Sequence, residues 1–199
     1  MGEPRTTYDK KRRAPKPLDP VRLNDLALAY VARFATTAAK LQRYLIRKIR
    51  QRGWEDETQP DIDGLVARFV ENGYVDDAVY GRAKAGGLVA RGYGERRVEQ
   101  ALRADGIDET LRARFAPGEY EARGAIQHLA RRRKFGPFGQ PRATLDREAG
   151  AKLYEKQLAA MIRAGHNFEM ARRVLDAATE EELDEWVAEA SDLDYERRD

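Results

Sequence analysis

The chain has 199 residues, of which 36% are charged and 42% hydrophobic, with no cysteine and a formal net charge of +3. That length admits one large domain or several small ones, and the heavy charge favours an elongated, solvent-rich shape over one thick core. The lack of cysteine excludes a disulfide framework or a cysteine metal site. No run approaches the roughly 18 apolar residues of a membrane span and no apolar signal core opens the chain, so a cytoplasmic protein is expected.

Helix formers dominate, and strand-like runs of Val, Ile and Thr are lacking, which predicts an all-α fold. Residues 1–19 form a polar, basic segment with Pro4, Pro15 and Pro17, expected to be a disordered arm. Beyond it the apolar residues take a three-to-four spacing: Leu23, Leu26, Tyr30 and Phe34, then Leu41, Leu45 and Ile49, then Leu65, Val66, Phe69 and Val70. Gly53 follows the second of these runs and is expected to end a helix in the αL conformation. After Gly73, Asp76 and Asp77 open a further helix whose orphan amides one of them can cap, and Asp108 can do the same after Gly106 and Ile107. Gly92, Tyr93 and Gly94 fit a turn. The stretch 131–146, RRRKFGPFGQPRATLD, is expected to be a loop, and 191–199 an acidic tail.

Aligning glycines reveals an internal repeat. LIRKIRQRG (45–53), VEQALRADG (98–106) and QLAAMIRAG (157–165) each end in Gly, with Ile49, Leu102 or Met161 four residues earlier. The spacing between the glycines is unequal, which makes the array irregular. We expect three tandem three-helix repeats, at 20–73, 74–119 and 120–190, each with a small core shared with its neighbours. A single helical bundle with coincidental spacing is the alternative.

Catalytic motifs are scarce. His128 and His166 are the only histidines and neither stands in a zinc motif. There is no phosphate-binding loop, and Asp76 and Asp77 have no local third carboxylate, which favours capping over metal binding. No enzyme activity, metal or cofactor is expected.

Basic residues have geometry. Lys40, Arg43, Arg47 and Arg50 fall along one side of a helix, opposite Leu41, Leu45 and Ile49. Counted back from the terminal glycine, Arg43 matches Arg96 and Arg50 matches Arg103, whereas the third repeat has Glu155 and Ile162 there. Arg131, Arg132, Arg133 and Lys134 add a cluster beside Phe135 and Phe138. The first 17 residues carry +4, residues 180–199 carry −8, and the body between them +7. A basic body suits phosphate contacts, with the acidic end as a competitor for them; a solvated, arginine-rich surface is the plainer alternative. A helix-turn-helix transcriptional regulator is a second functional class. The face 40–50, nearly all Lys and Arg, offers few of the polar groups that read bases.

The segment GYVDDAVYGRAKAGGLVARGYGERRVEQALRADGI (73–107) resembles the middle repeat of the RecX family of recombination regulators, and KQLAAMIRAGHNFEMARRVLDA (156–177) resembles its closing repeat. The resemblance covers about residues 23–185. Tyr80 stands where the family often has Phe, the loop with GPFGQP is longer than in a minimal copy, and Phe168 lies two residues further from Gly165 than in a Gly-Phe pair. The resemblance implies a monomeric, non-enzymatic modulator of RecA, lodged in the groove of the RecA filament on single-stranded DNA. It further implies inhibition of strand exchange, ATP hydrolysis and co-protease activity, and hence a place in homologous recombination, DNA repair and the SOS response.

Overall fold

The computed structural model describes residues 16–141 and 144–196. Ten α-helices follow one another: α1 (Pro20–Val31), α2 (Ala38–Arg52), α3 (Ile62–Glu71), α4 (Asp77–Val89), α5 (Glu95–Asp105), α6 (Glu109–Arg114), α7 (Glu119–Arg133), α8 (Arg147–Arg163), α9 (Phe168–Asp176) and α10 (Glu180–Glu196). Their starts are written in the sequence. Asp19, Thr37, Asp61, Asp76, Asp108, Asp146 and Asn167 each accept a hydrogen bond from the backbone N–H three residues on. Each such cap satisfies an otherwise orphaned donor and contributes about 1 kcal/mol.

The buried side chains fall into three clusters. Leu23, Leu41, Leu45, Leu65 and Phe69 bring α1–α3 together. Leu88, Val98, Leu102, Ile107 and Phe115 do so for α4–α6. Ile126, Leu129, Met161, Val174 and Leu183 unite α7–α10. Tyr93 packs against both the second and third clusters.

Several sequence expectations need correction. The expected loop 131–146 begins later, because α7 continues through Arg133, a good helix former, and Lys134 closes it at φ 57°. A 3-10 turn at Gly136–Phe138 follows. Residues 191–196 are not a separate tail: they extend α10, whose Leu183, Trp186 and Ala190 pack inward at helical spacing. That makes four helices around the third cluster, where three were expected. The basic arm is shorter than 1–19. Leu18 is fully buried, donating its N–H to Gly53 O and accepting from Glu55 N, and Asp19 caps α1. Residues 1–15 and 197–199 of the expected arm and tail lie outside the described residues. The same pairing explains Gly53, whose φ of 83° goes with ψ 170° and not with αL, because its carbonyl is turned towards Leu18.

Adjacent threonines ahead of α2 have opposite roles. Thr37 caps α2 and its hydroxyl donates to Asp105 O at 2.6 Å, whereas the buried Thr36 hydroxyl has no partner among the described residues. Thr37→Val is expected to lower stability by about 2 kcal/mol, from the lost cap and the lost bond. Thr36→Val, which removes an unsatisfied hydroxyl at nearly constant shape, should be neutral or stabilising. Urea unfolding midpoints of the two variants check this contrast.

Candidate polyanion-binding surface

The three glycine-ended helices meet end to end. At the α8–α5 joint, Gly94 N donates to Ala164 O at 3.0 Å and Arg96 N to Gly165 O at 3.2 Å. Unpaired amides at one helix start thereby satisfy unpaired carbonyls at another helix end, with the dipoles head to tail. The contact has no room for side chains: a Cβ on Gly94 would lie 2.5 Å from the Gly165 carbonyl oxygen and from His166 N.

At the α5–α2 joint Gly106, in the αL conformation, lies directly against Ala39. Asp77 at the start of α4 reaches across to accept from Ala38 N at 2.9 Å. Asp76 and Asp77 are therefore both capping residues, one for α4 and one for α2. Burial pushes the Asp77 carboxyl above the usual carboxylate value, only partly offset by the Ala38 amide. Asp105, the last residue of α5, accepts from Tyr80 Oη at 2.7 Å, pairs with Lys84 and lies 3.6 Å from Lys40 Nζ. Burial works against the charged form of Asp105. The hydrogen bonds from Lys84 and Tyr80 and the nearby ammonium charges outweigh it and hold this carboxyl below its ordinary value. Lys40 shows the mirror effect: burial opposes its charge, but Tyr80 and Asp105 prevail and raise its pKa.

His166, just past the α8 end, is 2% exposed and its Nε2 sits 3.0 Å from Gly92 O. Burial pushes its pKa below 6.5, outweighing the hydrogen bond to Gly92. The unfolded chain then takes up the proton before the folded one, so His166 makes no pH-dependent demand above pH 6.5 and costs stability as pH falls below that value. Unfolding midpoints measured through this range should drop for the wild type and drop less for His166→Gln. His128, in contrast, lies on the exposed side of α7.

The basic residues occupy these same helices. Arg43, Arg47 and Arg50 are exposed along α2, and Arg96 and Arg103 are exposed on α5. Arg43 Nη2 donates to Ala104 O at 3.3 Å, which carries the α2 stripe across the joint to the residue beside Arg103. The Arg47 guanidinium rests over the Tyr44 ring, which is stacked on Tyr30. Lys40 stands apart from the stripe, because its ammonium is engaged by Tyr80 and Asp105.

In the 131–134 cluster the structure separates the members. Arg131 is drawn into ion pairs with Asp184 at 3.2 Å and Glu180 at 3.7 Å and covers Phe138. Acidic α10 thus neutralises this side of α7, pairing also with Arg123 through Glu189. Arg132, Arg133 and Lys134 remain exposed. Lys156 and Arg163 on α8 flank a cleft with Arg133 and Lys134, and sequence reasoning missed them. The signal lay one residue away: Glu155 and Ile162 stand at the positions matching Arg43 and Arg50, whereas Lys156 and Arg163 keep the same seven-residue spacing.

Among the described residues no group of three His, Cys, Asp or Glu side chains is placed to hold a metal ion, and no helix is long and apolar enough to cross a membrane. No family model matches the chain. The regulatory protein RecX of Myxococcus xanthus strain DK1622 is 33% identical over 189 residues, spanning 89% of this chain and 98% of that protein. The chain belongs to the RecX family. A second RecX regulatory protein, from Thermobifida fusca strain YX, is 35% identical over 120 residues, 58% of this chain and 62% of that one. The crystal structure of RecX from Lactobacillus salivarius superposes with a TM-score of 0.53 at 12% identity, covering 78% of this chain and 96% of that one. A further RecX crystal structure gives 0.55 at 16% identity, with 79% and 72% covered. At such identities the likeness concerns the fold, and these RecX structures share the helical architecture of this chain.

Proposed function

We propose that this RecX-family chain binds RecA filaments on DNA and restrains RecA's recombinase, ATPase and co-protease activities, acting without catalysis of its own. The observation that carries this reading is the succession α8–α5–α2. Its end-to-end joints string exposed arginines, from Arg43, Arg47 and Arg50 to Arg96 and Arg103, along linked helices. A rigid row of cations suits a long polyanionic partner better than a small ligand. The helical groups α1–α3, α4–α6 and α7–α10 act in this account as three tandem units of an elongated cytoplasmic monomer, with Gly73 and the Gly118 region as the boundaries. In support, the buried side chains form three separate clusters, one for each group of helices.

The direct test is co-sedimentation with RecA filaments assembled on single-stranded DNA. The chain should pellet with the filaments at low and moderate salt and stay in solution without them. Failure to pellet at either salt would overturn the assignment.

A further inference from the structure

We infer that the cleft between α7 and α8, ringed by Arg133, Lys134, Lys156 and Arg163, binds successive phosphates of a single-stranded nucleic acid. The cleft has a volume of about 450 Å³ and no acidic side chain in its lining. All four cations are exposed, and none forms an ion pair among the described residues, in contrast to Arg123 and Arg131 on the same helix α7. Gln157, only 8% exposed, also lines the cleft, and its Oε1 accepts from Gly136 N. Lys134, which closes α7 in the left-handed conformation common at helix ends, lines the cleft beside Arg133.

The spacing selects a chain of phosphates over a single anion. Lys156 and Arg163 lie seven residues apart on α8, about 10 Å along the helix, a separation that fits neighbouring phosphates of a strand better than one small anion. Lys134 and Arg133 approach from α7. Phe135 supplies an apolar wall where a sugar or base can rest. Ammonium and guanidinium groups without sequence-reading partners give affinity that tolerates any base and falls with salt. Such a cleft would supply a DNA contact within the function proposed above. Its test omits RecA, so that the two can fail separately.

The experiment is fluorescence anisotropy of a labelled single-stranded oligodeoxynucleotide with the full chain alone, across salt concentrations. Lys156→Glu with Arg163→Glu should weaken binding about tenfold or more and flatten the log–log salt slope by about 1.4 units, the value for two single-strand phosphate contacts. Arg172→Glu, on α9 away from the cleft, should leave the slope within about 0.7 units of the wild type. Circular dichroism confirms that all three proteins are folded. Equal affinity and slope for wild type and the double variant would overturn the inference. So would complete displacement of the oligonucleotide by ATP at matched phosphate concentration, which would reassign the cleft to a free nucleotide. An RNA strand of the same sequence binding with the same slope supports it, because the contact is to phosphate.

Discussion

Gly94→Ala is expected to destabilise the protein by about 2–3 kcal/mol, although it adds one methyl group. Gly94 has φ −82°, which any residue adopts, so backbone strain plays no part. The penalty is steric. The added carbon would lie 2.5 Å from the carbonyl carbon and oxygen of Gly165 and from His166 N, all backbone atoms that no side-chain rotation can relieve. The joint must open, and the hydrogen bonds from Gly94 N to Ala164 O and from Arg96 N to Gly165 O weaken with it. Gly124→Ala is the control. Gly124 lies within α7 with open space where a Cβ would stand, so alanine there should stabilise by about 0.5–1 kcal/mol through reduced unfolded-state freedom. Denaturant midpoints for the two variants should move in opposite directions. A Gly94→Ala variant as stable as the wild type would show that the α8–α5 joint is not held as closely as described.

Arg43→Glu with Arg47→Glu should weaken filament binding about tenfold or more while leaving the fold intact, since exposed substitutions usually shift stability by no more than about 0.5 kcal/mol. Both residues lie on the exposed side of α2, away from Leu41 and Leu45. Reversal replaces attraction by repulsion. If the partners are phosphates, the salt dependence also flattens by roughly one unit of slope for each phosphate no longer bound; if they are acidic side chains of RecA, affinity falls with a smaller change in slope. Lys40→Ala should behave differently again. Its ammonium serves Tyr80 and Asp105, so its loss should register in stability more than in binding. Equal affinity and slope for wild type and the double variant would reduce the stripe to a solvated face.

Much of the helical architecture is legible from the sequence because it rests on local rules. Apolar residues at three-to-four spacing and Asp, Asn or Thr caps specify each helix within a few residues of its own position, and Asp76 and Asp108 cap as their spacing predicts. What escapes is what depends on distant partners. The α8–α5 joint is made of backbone groups some 70 residues apart, as in the 3.0 Å hydrogen bond from Gly94 N to Ala164 O, and no side-chain pattern announces it. Asp77 looks like a cap for its own helix but serves α2. Acidic composition concealed the apolar side of α10, whose Leu183 and Trp186 pack in the third cluster and whose Ala190 is buried. In the basic surface, sequence identifies Arg43, Arg47 and Arg50 as exposed but cannot tell Lys40, held by Asp105, or Arg131, held by Asp184, from their free neighbours. Lys156 and Arg163 were hidden by a one-residue shift of the third helix relative to the first two.

The central claim, a RecX-family chain that restrains RecA, is tested most directly by the ATPase rate of RecA on single-stranded DNA as the chain is titrated in. The account predicts that hydrolysis slows at or below stoichiometric amounts of the chain, that the chain alone hydrolyses no ATP, and that the Arg43→Glu, Arg47→Glu variant slows it less at every concentration. An unchanged RecA rate at low and moderate salt, with the wild-type chain in excess, would contradict it.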